Sequence, residues 1–167
     1  MVAAELIPAG STVLDVGCGT GGEAIFLARS GFAAIGVDVS EKALEIARAR
    51  AEAAGVEVSF RRADAADLPL ADRSIGFATD RGCFHVVARD RRAAYAREMH
   101  RVLRPGARLL LRGARASSDE EGVIAVDEAE VDRWFLAAGF SRGPVVPITL
   151  TAESGALEGN LVLLRRE

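Results

Sequence analysis

The apolar positions of this chain change period several times, and the changes divide it into alternating strands and helices. Val13-Leu14-Asp15-Val16 is a short, mostly apolar run with β-branched residues, the mark of a buried strand. A loop with glycine at 17, 19, 21 and 22 follows it. Ala24 to Ala28 then begins a helix that should run to about Ser30, with Gly31 as its stop. Ala33 to Val37 reads as a second strand ending on Asp38. Ser40 fits an N-cap, and the helix it opens runs through Ala54 with Leu44, Ala47 and Ala51 on one face. Gly55 ends it. Val56 to Arg62 alternates apolar and polar residues, as an edge strand does, and Asp64 lies just beyond.

The second half repeats the alternation. Ile75 to Thr79 is the fourth strand and runs into Asp80-Arg81-Gly82-Cys83-Phe84-His85. Asp90 reads as the cap of a helix to about Leu103, with Tyr95, Met99 and Val102 facing inward. Pro105-Gly106 breaks that helix, and Arg108 to Arg112 is a central strand. Gly113 to Val126 is loop-rich and acidic. Asp127, with Glu130 at capping-box spacing, opens a last helix whose buried stripe is Val131, Trp134, Phe135 and Ala138, and Gly139 ends it. Val145 to Leu150 contains Pro147, which cannot donate to a ladder and so places that strand on an edge. Asn160 to Arg165 is more continuously apolar and reads as interior. The two should form an antiparallel hairpin whose later strand is the inner one. Strands alternating with helices predict an α/β domain with a largely parallel sheet.

Composition narrows the picture modestly. At 167 residues, half of them apolar, the chain suits a single domain spanning 1–167. No apolar run approaches the roughly 18 residues of a membrane span, and Met1 leads into a short amphipathic segment rather than a secretory signal. Two cysteines far apart suit a reducing, cytoplasmic setting. A net charge of −3 exerts no general pull toward nucleic acid or anionic membrane. Nine arginines lie between Arg89 and Arg115, and the acidic run from Asp119 to Asp132 can neutralise them. A solvated face explains them better than RNA binding.

The glycine loop carries the chemistry. Strand, glycine loop and helix form the front half of a nucleotide-binding unit, because glycine lets the backbone turn tightly and approach a ligand. The helix N-terminus adds unpaired N–H groups and a partial positive charge. Gly17, Gly19 and Gly22 match G-x-G-x-x-G, with Asp38 21 positions past Gly17, as in dinucleotide enzymes. Asp15 complicates that reading. A carboxylate at the strand's end would repel a pyrophosphate and attract a cationic ligand. An NAD(P)-dependent oxidoreductase and a binder of a cationic nucleotide both remain open on the loop alone. Asp38 and Asp64 also fit plain turn or cap roles. Cys18 and Cys83 read as small buried fillers, and His100 as a structural residue.

The chain resembles the class I S-adenosylmethionine-dependent methyltransferases of the small-molecule type. The resemblance rests on Val13 to Gly21, Gly36-Val37-Asp38-Val39-Ser40, Ala63-Asp64-Ala65, Asp80-Arg81-Gly82 and Arg101 to Gly106. It covers about residues 11 to 113, and the remainder by topology only. It implies a Rossmann-like, doubly wound, mostly parallel seven-stranded sheet of order 3-2-1-4-5-7-6 with an antiparallel C-terminal strand. It implies S-adenosyl-L-methionine as cofactor and S-adenosyl-L-homocysteine as product. Asp15 would lie near the methionyl ammonium, with Gly17, Cys18 and Gly19 passing close by. Asp38 would accept the ribose hydroxyls beside Val39. Asp64 would take the adenine amine with the Ala65 N–H near the ring, and Asp80 and Arg81 would border the methyl group.

Methyl transfer from a sulfonium is an in-line displacement, so the protein mainly has to align donor and acceptor. His85, just past the fourth strand, is the candidate general base for a hydroxyl acceptor. No residue pattern of a metal site is expected. No Asn/Asp-Pro-Pro-aromatic segment or Pro-Cys pair follows the fourth strand, which disfavours nucleic-acid bases as acceptors. The first strand begins about a dozen residues from Met1, and no long insertion follows the Leu109 strand. The acceptor side is therefore expected to be open, covered by a second copy in a homodimer, or completed by the Ser117–Val126 loop. A non-catalytic S-adenosylmethionine-binding module is the remaining alternative.

Overall fold

The computed structural model describes residues 6–118, 122–152 and 155–167, and of 150–152 and 157 the backbone alone. The start of the acidic run at Asp119 and the segment led by Met1 lie outside the described residues. Five parallel strands form the body of the sheet: β1 Thr12–Val16, β2 Ala33–Asp38, β3 Val58–Arg62, β4 Ile75–Arg81 and β5 Leu103–Ala114. Three more, β6 Phe140–Arg142, β7 Val146–Ala152 and β8 Gly155–Arg166, join antiparallel. The order is β3-β2-β1-β4-β5-β8-β6, with β7 on β8 as well.

That order contains the expected topology with one addition. The terminal hairpin is β7–β8, and β8 is its inner strand, paired with β5 from Gly159 to Arg165. Pro147 sits on β7, which among the described residues pairs with β8 alone. The outer edge, however, is shared. β8 has 12 residues, so β7 covers its first part while the three-residue β6 pairs its last three residues. An eighth strand results.

Helices α1 (Gly22–Arg29), α2 (Glu41–Ala53), α3 (Arg92–Val102) and α4 (Glu128–Val131) connect the strands. Alternation in β1 sends Val13 to one face and Leu14 to the other. Val13, Leu27, Ala34, Phe77 and Leu110 make the smaller core on the α1 side. On the opposite face Leu14, Val16, Leu109 and Leu111 pack with Tyr95, Met99 and Val102 of α3, as their helical spacing predicts. Phe84, Tyr95, Phe135 and Phe140 cluster there with ring centroids between 5.0 and 6.1 Å apart. Each such pair adds about 0.5–1.5 kcal/mol beyond its buried area.

Three local expectations are corrected. Asp90 does not cap α3: it lies inside a 3-10 turn, Arg89–Arg91, and the helix begins after Arg91 without a side-chain cap. Pro105-Gly106 does not end an element; it falls within β5, where the register against β4 shifts between Ile75 and Phe77. The last helix is not regular. Asp127 does cap it, accepting from the Glu130 N–H over 2.8 Å, but α4 gives way to a π-helical turn, Asp132–Leu136. The wider turn seats Phe135 in the aromatic cluster while the Trp134 Nε1–H donates to Glu130 over 2.8 Å.

Candidate functional site

The sheet reverses its winding between β1 and β4, and ligands of open α/β sheets bind beyond the strand ends at such a point. The two loops leaving these strands touch. Gly17 has φ 66°, and a Cβ on it would stand 2.4 Å from the Cβ of Cys83 in the loop after β4. Glycine is needed there for both reasons. Gly19 also has positive φ, 51°, but a Cβ on it would meet nothing within 4 Å. It faces open space, where a ligand can approach the backbone.

Asp15 ends the α1-side stripe of β1. It is 2% exposed, and its Oδ2 accepts the Ala24 N–H in the first turn of α1 over 3.0 Å. Burial, reinforced by the charges of Glu23 and Asp80, pushes its carboxyl from 3.8 up to about 8. Arg112 acts the other way but is shared: its guanidinium donates to Glu23 over 2.8 Å and to the Thr79 hydroxyl over 2.7 Å. Asp15 and Glu23 thus share one cation at the mouth of the glycine loop, while Asp80 adds its charge from the other side of the sheet.

Asp38 ties the loop to the next element. Its Oδ2 accepts the Gly19 N–H over 2.8 Å and its Oδ1 the Ser40 N–H over 2.9 Å. Ser40 caps α2, its side chain accepting from the Ala43 N–H. Cys18 is buried in the loop, its N–H on the Val37 carbonyl, and burial raises its thiol to about 12. Burial raises the Cys83 thiol as well, and this half-buried side chain fills the space beside Gly17. Val39 beyond Asp38 is 63% exposed, an apolar side chain on the rim with no core partner. The Ala63 N–H donates to the Asp38 carbonyl over 3.1 Å, which brings Asp64 beside this cleft. Asp64 accepts the Ala66 N–H over 2.8 Å and pairs with Arg91 over 2.8 Å, and Ala65 next to it is buried.

The loop after β4 is built differently from the expectation. Asp80 is fully buried, and its carboxylate accepts the Cys83 and Phe84 N–H groups over 2.8 Å each and the Tyr95 hydroxyl over 2.6 Å. It shapes the loop and presents no side-chain surface to a ligand. Arg81 alone of the pair is exposed. His85 follows in a 3-10 turn, Phe84–Val86, with its Nδ1 accepting the Ala114 N–H over 2.9 Å. That occupies the lone pair a general base would use. Burial and Arg92 lower its pKa.

Arg92 and Glu130 were absent from the expected site and hold this loop in place. Arg92 is 0% exposed; its guanidinium stacks 4.2 Å from the centre of the Phe84 ring and donates to the Phe84 and Val87 carbonyls. Glu130 of α4 accepts from Arg92 over 3.0 Å, from Arg89 over 3.1 Å and from Trp134. The signal was present: Arg92 shares the apolar stripe of Tyr95, Met99 and Val102, where a charge has to be paired. Arg101 likewise bonds Glu98, Asp72 and the Leu68 and Leu70 carbonyls. Much of the arginine-rich segment is therefore internal bracing. Among the described residues no cluster of His, Cys, Asp and Glu is arranged to hold a metal ion.

Comparison with known proteins agrees with this geometry. Residues 13–106 match the methyltransferase domain family. Methyltransferase GfsG of Streptomyces halstedii is 46% identical over 110 residues, covering 63% of this chain and 38% of that protein. The 2-heptyl-1-hydroxyquinolin-4(1H)-one methyltransferase of Mycobacteroides abscessus is 32% identical over 150 residues, covering 87% of this chain and 66% of that protein. The chain spans about two-fifths of the length of several curated relatives it matches. A methyltransferase structure from Methanosarcina mazei superposes with a TM-score of 0.86 at 20% identity, covering 99% of this chain and 96% of that one, a likeness of fold. The matched segment takes in more than half of the 167 residues, and this protein belongs to the methyltransferase domain family of class I fold.

Proposed function

We propose that the chain transfers the methyl group of S-adenosyl-L-methionine to a small-molecule acceptor by in-line displacement. The observation that carries the reading is Asp15. Its carboxyl is buried, the charges of Glu23 and Asp80 act against its ionisation, and among the described residues only the shared Arg112 opposes them; a ligand ammonium would supply the missing cation. The remaining groups fit the same ligand. Each Asp38 oxygen already accepts one N–H and has capacity for a ribose hydroxyl. Val39 offers an apolar contact for the adenine, with Asp64 and the Ala65 N–H at its edge. Gly17, Cys18 and Gly19 bring the backbone close to the methionyl portion, and Arg81 borders the far end. Asp80 acts through the loop it holds.

The bound sulfonium would supply an activated methyl group; the residues of this chain would supply alignment. Such positioning can contribute roughly 7–11 kcal/mol of a barrier. The small-molecule acceptor is supported by the Mycobacteroides abscessus relative, whose named substrate is a hydroxyl-bearing heterocycle. Calorimetric titration tests the reading. S-adenosylmethionine and S-adenosylhomocysteine should bind in the nanomolar-to-micromolar range and NAD should not. Binding of NAD with no binding of S-adenosylmethionine would overturn it in favour of a dinucleotide oxidoreductase.

A further inference from the structure

His85 lies outside the cofactor cradle, in a pocket shaped for its ring. The imidazole sits between Gly82 and Gly113 at the ends of β4 and β5. A Cβ on Gly82 would stand 3.3 Å from its Cε1, and one on Gly113 3.2 Å from its Nδ1. The backbone of the histidine is pinned as well, its carbonyl accepting from the Ile124 N–H over 2.9 Å and from Arg92 over 3.4 Å.

The direction of one hydrogen bond decides what this ring can do. The Ala114 N–H donates to Nδ1 over 2.9 Å. A neutral imidazole has one accepting and one donating nitrogen, so the proton is on Nε2. An imidazolium would need a second proton on Nδ1, aimed at the Ala114 N–H. The charged group acting on the ring is Arg92 of α3, itself held by Glu130 of α4, and a neighbouring cation further opposes protonation. β5 contributes Gly113 and Ala114, and the segment that follows contributes Ile124, none of them titratable. Among the described residues Nε2 has no protein acceptor.

We infer that His85 is a fixed N–H donor to the methyl acceptor rather than its general base, and that the acceptor is a small molecule with an acidic hydroxyl, of the phenol or enol class, which reacts as its oxyanion. This rests on the methyl-transfer reading above. An oxyanion keeps lone pairs for Nε2–H while one pair attacks; a neutral amine has a single pair and cannot do both. A donor aimed at the oxygen also favours its ionised form. In the reaction the oxyanion's pair forms the O–C bond, the C–S bond breaks with its pair going to sulfur, and the two charges cancel. The hydroxyl proton leaves to solvent beforehand, so no proton passes to the imidazole.

The test has two arms on the full chain. In 15N-labelled protein saturated with S-adenosylhomocysteine, long-range imidazole spectra, assigned with His100→Gln, should show His85 as the Nε2–H tautomer at neutral pH, protonating only below the ordinary imidazole value. An Nδ1–H tautomer, or titration at the ordinary imidazole value, overturns the inference. In the second arm 4-nitrophenol is the acceptor. Its methylation should rise with pH to a plateau set by the phenol's own ionisation. His85→Gln, which keeps an N–H but no basic nitrogen, should retain roughly tenfold more kcat/KM than His85→Ala. Equal losses in both variants, or a profile following the imidazole, overturn the donor role. Absence of phenol methylation while S-adenosylmethionine binds overturns the acceptor class; absence of that binding overturns the methyl-transfer reading instead.

Discussion

Replacing Asp15 with asparagine separates the ligand-binding role of that residue from what its burial does to the fold. The carboxyl is raised from 3.8 to about 8, first by burial and then by Glu23 and Asp80. Between those values the unfolded chain has released the proton while the folded protein retains it. The folded state binds more protons, so stability falls as pH rises through the window and the loss is complete above about 8. At pH 7, some three units above the ordinary value, the penalty is on the order of 4 kcal/mol. Asparagine keeps an oxygen for the Ala24 N–H and cannot ionise. Urea unfolding of the ligand-free proteins should therefore find Asp15→Asn and wild type closest near pH 4. At pH 7 the variant should be the more stable by several kcal/mol, about 10 °C in Tm. Binding should move oppositely. Loss of a buried charge partner costs about 2–5 kcal/mol, or roughly thirty- to several-thousand-fold in affinity for S-adenosylmethionine. Wild type should release close to one proton on binding at pH 7, read by calorimetry in buffers of different ionisation enthalpy, and the variant none. A stability difference that is the same at pH 5 and pH 8 would refute the reasoning.

Three other perturbations probe the frame around the site. Tyr95→Phe removes the 2.6 Å bond to the fully buried Asp80 carboxylate, and should lower stability by about 1.5–3 kcal/mol, seen as a lower urea midpoint at unchanged slope. Gly17→Ala forces a Cβ to 2.4 Å from that of Cys83 at a left-handed φ. It should weaken S-adenosylhomocysteine binding at least about tenfold, with part of the loss recovered in a Gly17→Ala/Cys83→Gly double variant. Glu130→Gln leaves the buried Arg92 without its carboxylate and should cost about 3–5 kcal/mol. By contrast, Glu41→Gln, at the exposed pair with Arg48, should cost under about 1 kcal/mol in the same denaturation assay.

What could be read from the sequence was set by short-range geometry. Strand, glycine loop and helix follow from a few adjacent residues, and Asp38 and Ser40 terminate and begin elements by their own side chains. Pro147 excluded an interior position by lacking a donor, and β8 took that position. The sequence is silent where distant residues decide. β6 is three residues long and has no period to detect. Asp90 has the chemistry of a cap but sits in a 3-10 turn. Arg92 reads as one more solvated arginine because its carboxylate is 38 positions away, on α4.

The two halves of the site differ in the same way. The donor half is written in backbone conformation, since Gly17 and Gly19 must adopt positive φ whatever else the chain does. The acceptor half depends on which atom donates to which. A histidine after β4 is equally consistent with a base and with a donor until the second partner of its ring is known. That partner is the Ala114 N–H at the end of β5, 29 positions on, and it is in place because β5 runs parallel to β4 in a register that pairs Arg81 with Arg112. Strand register, a property of the whole sheet, thus sets the tautomer of one imidazole. On the donor role inferred for His85, that tautomer suits an acceptor whose proton the imidazole does not have to take.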